Sequence, residues 1–225
     1  MPVAMAGHSL GEYTALVCSQ AVDFRTAVEL VRFRGQAMQR AVPLGEGAMA
    51  AVLGLDDAEL AAACREAAQG QVVEPVNFNA PGQVVIAGHA AAVARAIEAA
   101  KARGAKRAMA LPVSVPSHSS LMTGAADQLA ERLATVDLAM PEVPAVYTVD
   151  VQKHRSPDGI SGALREQLFK PVRWADTVRA MIASGVTTFV ECGPGRVLTS
   201  LGKRIERRPE LRMLAIDDPD SLAAA

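Results

Sequence analysis

Residues 7–11 read Gly-His-Ser-Leu-Gly, and no other stretch constrains the fold as tightly. They stand between a short apolar run at 2–5, readable as a buried strand, and a helical stretch through Leu16 and Val17. A G-x-S-x-G turn between strand and helix lifts the serine Oγ off the end of a sheet. The flanking glycines let backbone approach closely. The following helix points its free N–H groups at the same spot, which favours a developing oxyanion. Ser9 is therefore a candidate nucleophile. The alternative is an ordinary strand-to-helix turn in which Ser9 caps the helix.

Strands and helices go on alternating. A helix is predicted from about 24 to 39, with Asp23 as its N-cap, and 43–47 has a linker's composition. Next come a strand at 48–53, a helix from Asp56 to about 67, and strands at 72–78 and 84–87 joined by Asn79-Ala80-Pro81-Gly82. A helix at 90–102, ended by Gly104, and a strand at 108–113 complete the block. The order β-α-β-β-α-β is the ferredoxin-like signature, and it places a subdomain at 44–114. Helices are predicted at 119–135, 159–168, 173–184 and 196–205, and strands near 145–149, 187–191 and 213–216. That alternation predicts a mostly parallel sheet covered on both faces.

Composition removes several function classes. At 225 residues the chain is one domain, or one domain carrying a smaller subdomain. An aromatic share of 4% argues against a base-stacking platform, and 23 basic against 24 acidic residues leave no global footprint for nucleic acid. No apolar run approaches the ~18–20 residues of a membrane span. Residues 1–7 lack the basic region and apolar core of a signal peptide. The three cysteines, Cys18, Cys64 and Cys192, form no CxxC or Cys/His cluster, so no metal site is expected. Reduced thiols in a cytoplasmic protein are the expected state. Cys18 and Cys64 fall in apolar helical patterns and should pack as small hydrophobes.

An activated serine needs a base, and the chain has four histidines. His8 should project away from the side chain of its neighbour Ser9. His89 begins a helix and reads as a cap or surface residue, and His154 lies in a polar loop. His118 follows Val115-Pro116-Ser117 at the exit from the subdomain, where returning chain often lines a cleft. It is the candidate base, with a solvated helix-start histidine as the alternative. Arg34 lies on the apolar stripe of its helix, with Ala27, Leu30, Val31, Ala37 and Met38. A guanidinium there needs an internal carboxylate, a ligand carboxylate held bidentately, or a route to solvent for its head. Asn77 and Asn79 share a strand face, and turn chemistry accounts for Asn79. Gly193-Pro194-Gly195 lacks the Lys and Ser/Thr of a phosphate loop and reads as a tight turn. Two basic runs, Lys101/Arg103/Lys106/Arg107 and Lys203/Arg204/Arg207/Arg208, read as solvated faces or as a surface steering an acidic protein.

Several longer segments resemble the malonyl-CoA:acyl carrier protein transacylase family. They are Ala6-Gly7-His8-Ser9-Leu10-Gly11-Glu12-Tyr13, Arg34-Gly35-Gln36-Ala37-Met38-Gln39, and the run from Pro75 to Gly88. They continue in Val113-Ser114-Val115-Pro116-Ser117-His118, Gln167 ahead of Lys170-Pro171-Val172-Arg173-Trp174, and Glu191-Cys192-Gly193-Pro194-Gly195-Arg196-Val197-Leu198. The resemblance implies an α/β-hydrolase-like core at 1–43 and 115–225 with the ferredoxin-like insertion at 44–114. It implies Ser9 as nucleophile, His118 as base, and a backbone carbonyl at Gln167 orienting that base. It further implies that the Leu10 N–H is an oxyanion donor and that Arg34 binds the malonyl carboxylate. The implied partners are malonyl-CoA and acyl carrier protein, with no cofactor, in a cytoplasmic monomer. Arg107, Lys203 and Arg204 are candidates for the carrier-protein surface. Family members carry an N-terminal stretch before the nucleophile motif, with a first strand and a glutamine loop that gives a second oxyanion donor. Here Met1 falls within the strand leading to Ser9, so an N-terminally incomplete core is expected. A serine hydrolase or thioesterase on a related fold, and an inactive fragment, are the competing readings.

Overall fold

The computed structural model describes residues 1–113 and 115–223. The chain opens with β1 (Met5–Ala6), α1 (Gly11–Cys18) and α2 (Phe24–Ala41). There follow β2 (Gly47–Leu53), α3 (Asp57–Ala68), β3 (Val73–Ala80), β4 (Gln83–His89), α4 (Ala90–Ala102) and β5 (Arg107–Ala110). A 3-10 turn (Ser120–Met122) leads into α5 (Thr123–Leu133), β6 (Ala145–Val146), α6 (Pro157–Gln167) and α7 (Trp174–Ala183). The last elements are β7 (Thr188–Cys192), α8 (Val197–Ile205), β8 (Arg212–Ile216) and α9 (Pro219–Ala223).

Local chemistry sets the helix starts. Asp23 accepts from the Thr26 N–H ahead of α2, Asp56 from Ala58 N–H ahead of α3, and Ser156 from Gly159 N–H ahead of α6. Each cap satisfies a donor that the first turn leaves unpaired, worth ~1 kcal/mol. The stripe of α2 buries Ala27, Leu30, Ala37 and Met38, together with Arg34.

β2 to β5 form one antiparallel sheet in the order β3-β4-β2-β5. Ala50, Val52, Val84 and Ile86 meet Leu60, Cys64, Val93 and Ala96 of α3 and α4 in one core. The two helices therefore cover a single face, as the β-α-β-β-α-β order requires. Alanines at 63, 92, 96 and 100 are fully buried and let helices and sheet approach closely. Pro75 is accommodated because β3 is an edge strand. The expected end of this block, residue 114, lies outside the described residues.

A second core joins α1, α2, α5 and α6 through Tyr13, Leu16, Leu30, Leu129, Ile160 and Leu164. The strands outside the ferredoxin-like sheet pair in parallel, as the alternation predicted. They form two separate pairs. β1 pairs with β6, and β7 pairs with β8 from Thr188↔Arg212 to Cys192↔Ile216. Among the described residues no ladder joins the pairs. A cleft of about 670 Å³ lies between them, lined by Val3, Met5, Val190 and Leu214 among others.

Some boundaries moved for identifiable reasons. The strand expected at 145–149 stops at Val146, because the Tyr147 N–H bonds the Gln152 carbonyl and Val151 takes a φ of 63°. The helix expected from 119 begins as a 3-10 turn, after His118 at a φ of 66°. β3 runs on to Ala80, so Asn79 belongs to an irregular strand end rather than to the turn. Cys18 is exposed, unlike Cys64, because it faces the cleft. His154 is half-buried against the Tyr147 ring at 5.2 Å, with Nε2 3.0 Å from the Asp150 carboxylate.

Candidate active site

The turn at 7–11 is shaped by steric necessity. A Cβ on Gly7 would fall 1.9 Å from the Gly11 carbonyl carbon, so the strand passes the start of α1 at a distance only glycine permits. Ser9 sits at a φ of 54°, a left-handed conformation that costs a residue with a side chain of order 1–3 kcal/mol. The turn is held by Gly11 N–H to His8 C=O and Glu12 N–H to Ser9 C=O, both 3.1 Å. Among the described residues nothing accepts from the Leu10 N–H.

His118 arrives from the far side of the insertion. Its N–H donates to the Leu168 carbonyl at 2.9 Å, which fixes the backbone beside the end of α6. The ring is buried and spans two partners. Nδ1 lies 2.6 Å from the Gln167 carbonyl oxygen, and Nε2 lies 2.9 Å from Ser9 Oγ. A carbonyl only accepts, so the ring proton sits on Nδ1 and the Nε2 lone pair faces the serine hydroxyl. Burial, aided by the Arg34 charge, pushes the His118 pKa down to about 3. The imidazole is thus neutral and free to take a proton at neutral pH.

Arg34 completes the constellation. Nη2 donates to Ser9 Oγ at 2.9 Å and to Gln167 Oε1 at 3.1 Å, and the guanidinium carbon lies 5.9 Å from the Tyr13 ring centre. Nε is buried with no partner among the described residues. A buried cation held by neutral acceptors, with a donor to spare, is equipped to take an anion. Gln167 ties the parts together: its carbonyl holds His118, its Oε1 holds Arg34, and its Nε2 donates to the Ser9 carbonyl and the Glu12 carboxylate.

The structure therefore gathers Ser9, Leu10, Arg34, His118 and Gln167 at one point. It does not gather the three basic surface candidates. Arg107 is on β5, at one edge of the four-stranded sheet, whereas Lys203 and Arg204 are on α8, which packs against β3 at the other edge. Three strand spacings, roughly 14 Å, separate those edges. The Gly193-Pro194-Gly195 turn offers no open anion cradle, because Glu191 already accepts from the Leu198 and Thr199 N–H groups at the start of α8.

Two neighbours of the site make long-range contacts that nothing local in the sequence announces. His8 points away from Ser9 as expected, but its Nε2 meets Asn79 Oδ1 at 2.8 Å and its ring lies 5.6 Å from Trp174. It thus links the serine turn to the insertion. Glu12 is buried, with its carboxylate accepting from Thr148 N–H and Oγ1–H at 2.8 and 2.7 Å. The available signal was misleading: Ser9-x-x-Glu12 has the spacing of a capping box, yet the carboxylate turns inward.

A serine with a neutral imidazole and a guanidinium at its Oγ, set on a strand-turn-helix of an α/β fold, is equipped for covalent acyl transfer. The model of the acyl transferase domain family matches residues 1–211, and the chain belongs to that family. It is 58% identical over 224 residues to the malonyl CoA-acyl carrier protein transacylase of Escherichia coli (strain K12), covering 100% of this chain and 72% of that protein. A solved acyl carrier protein S-malonyltransferase from Vibrio cholerae superposes with a TM-score of 0.97 at 54% identity, covering 100% of this chain and 72% of that one. A malonyl-transacylase solved in complex with a type II PKS acyl-carrier protein superposes with a TM-score of 0.98 at 53% identity, with the same coverage.

Proposed function

We propose that this chain moves a malonyl group from malonyl-CoA to the phosphopantetheine thiol of acyl carrier protein, through a malonyl ester on Ser9, in fatty-acid synthesis. The observation that carries the reading is the placement of Arg34 Nη2 2.9 Å from Ser9 Oγ, a cation beside the nucleophile where a free carboxylate would lie. A substrate with that carboxylate pairs with Arg34. An acetyl group would leave the guanidinium buried and unmatched.

Ser9 Oγ attacks the thioester carbonyl carbon as its proton passes to His118 Nε2. The Leu10 N–H receives the oxyanion of the tetrahedral intermediate. Collapse breaks the carbon–sulfur bond, and the CoA thiolate takes the proton from Nε2. The carrier-protein thiol then gives its proton to the same nitrogen and attacks the ester. The carbon–oxygen bond to Ser9 breaks, and Ser9 regains its proton. The Gln167 carbonyl holds the ring by its Nδ1–H throughout, in place of a carboxylate. No cofactor takes part in this scheme.

Lys203 and Arg204 on α8, and separately Arg107, are the surface candidates for the acidic carrier protein. We place the reaction in the cytoplasm, in keeping with the free cysteines, and take the chain to act as a monomer. The test is the fate of the malonyl group. Labelled malonyl-enzyme mixed with carrier protein should lose its label to the carrier thiol. Release as free malonate at the same rate with and without carrier would mark a hydrolase instead.

A further inference from the structure

Glu12 has no part in the proton transfers, yet it is buried a short way behind Arg34. Its carboxylate accepts from three donors on two segments of the chain. Thr148, just after β6, gives its N–H and Oγ1–H to one oxygen, and Gln167 of α6 gives Nε2–H to the other. Three donors and no acceptor suit the ionised form. On its other side Gln167 presents Oε1 to Arg34 Nη2. The amide thus lies between anion and cation, and Glu12 is the carboxylate whose charge reaches the guanidinium. The remaining acceptors at Arg34, Ser9 Oγ and Gln167 Oε1, are neutral.

We propose that Glu12 is a positioning residue for Arg34: through the Gln167 amide it balances the guanidinium while no substrate carboxylate is present, and so moderates the grip on that carboxylate when it arrives. The inference rests on the reading that Arg34 takes a substrate carboxylate. A site that must release the malonyl group to a second thiol gains nothing from binding it ever more tightly in the ground state. A buried counter-charge one residue removed weakens the pair without competing for the same donors.

Charge and orientation make opposite demands on a Glu12→Gln variant, and the structure decides between them. The Ser9 carbonyl also accepts from Gln167 Nε2, at 3.0 Å. The Ser9 carbonyl therefore still holds the Gln167 amide, and Glu12→Gln removes the charge while setting its own amide NH2 against donors, a cost to stability rather than to the charge balance at Arg34. Burial lifts the Glu12 pKa to about 7, against the opposing pull of Thr148, Gln167 and Arg34. Of the other groups facing this cluster, burial pushes Tyr13 on α1 and Tyr147 after β6 far upward, and His118 is held near 3. None of these titrates between pH 7 and 9.

The test is the affinity of the protein for free malonate, read from the malonate dependence of its thermal midpoint. Glu12→Gln should bind malonate about tenfold more tightly at pH 9, where Glu12 of the unsubstituted protein is ionised. Malonate bound no more tightly by the variant overturns the proposal, since a merely structural role predicts a lower midpoint but the same affinity. Thr148→Val gives an independent reading in case Glu12→Gln does not fold. Losing one donor raises the proton affinity of Glu12, so this variant should gain malonate affinity at pH 7 and match the unsubstituted protein at pH 9. Equal affinity at both pH values overturns the proposal. Arg34→Ala separates the two readings. Should it bind malonate as well as the unsubstituted protein does, the Arg34 assignment itself fails, and the inference about Glu12 fails with it.

Discussion

Ser9 Oγ and Arg34 Nη2 stand 2.9 Å apart, the same distance that separates Ser9 Oγ from His118 Nε2. The hydroxyl therefore accepts from a cation while it donates to a neutral base. Both contacts favour the alkoxide character that attack requires, one by electrostatics and the other by taking the proton. The second use proposed for the cation is to pair with a substrate carboxylate.

Arg34→Ala should separate these uses. Loading of malonyl on Ser9 should fall about 10²-fold, the size expected when a charged hydrogen-bonded pair is lost. Acylation by a small neutral ester such as p-nitrophenyl acetate should fall far less. The ratio of the two rates, measured in the variant and the unsubstituted protein, is the check. Equal falls would mean that Arg34 serves Ser9 alone.

The pH profile should reflect the depressed His118. A free imidazole loses its basic function as pH falls through about 6.5. Here burial and the Arg34 charge hold the ring neutral down to about 3. Ser9 acylation by the neutral ester should thus show no His118-dependent decline between pH 7 and pH 5. The same shift has a stability consequence. The unfolded chain binds a proton on this ring below about 6.5 and the folded chain does not, so this group's contribution to stability declines as pH falls toward 3. Rates of p-nitrophenol release across that range are the measurement, and a limb centred near 6.5 would contradict the assignment.

Gly7 and Gly11 bracket Ser9 but should respond in opposite ways. Gly7→Ala drives a methyl into backbone at 1.9 Å and should cost about 3 kcal/mol or more. Gly11→Ala meets nothing within 4 Å at the start of α1 and should be neutral or stabilise by up to ~1 kcal/mol. Urea midpoints of the two variants decide this.

Charge reversal at Lys203 and Arg204 should slow transfer to carrier protein while sparing loading from malonyl-CoA. Both are exposed on α8 and distant in the fold from the edge strand that carries Arg107. A separate Arg107→Glu variant then reports on its own edge. The check is the transfer rate at low and moderate salt, because such surface contacts are screened.

Sequence and structure agree where chemistry is local. The turn at Ser9, the stripe that buries Arg34 and the caps at Asp23 and Asp56 follow from neighbours within one or two helical turns. Among four histidines His118 is the candidate that elimination favours, with a solvated helix-start histidine left open, and the structure places its ring beside Ser9. What stayed hidden depends on long-range contacts. The Gln167 carbonyl is backbone, which every residue possesses, so only the resemblance pointed to it. Glu12 carries a spacing that explains it locally as a cap, and nothing local announces Thr148, 136 positions away. Asn79 looked like a turn residue because Pro81 and Gly82 follow, yet its side chain is engaged by His8, 71 positions away. Alternating strands and helices gave parallel pairing correctly, but periodicity does not say which pairs share a sheet.

Acylation of Ser9 is tested most directly by the intact mass of the protein after exposure to malonyl-CoA, beside a Ser9→Ala control. The protein should gain one malonyl group and the control none, with the adduct discharged by a pantetheine thiol. An adduct that persists in Ser9→Ala, or a folded protein that gains no mass, would contradict it.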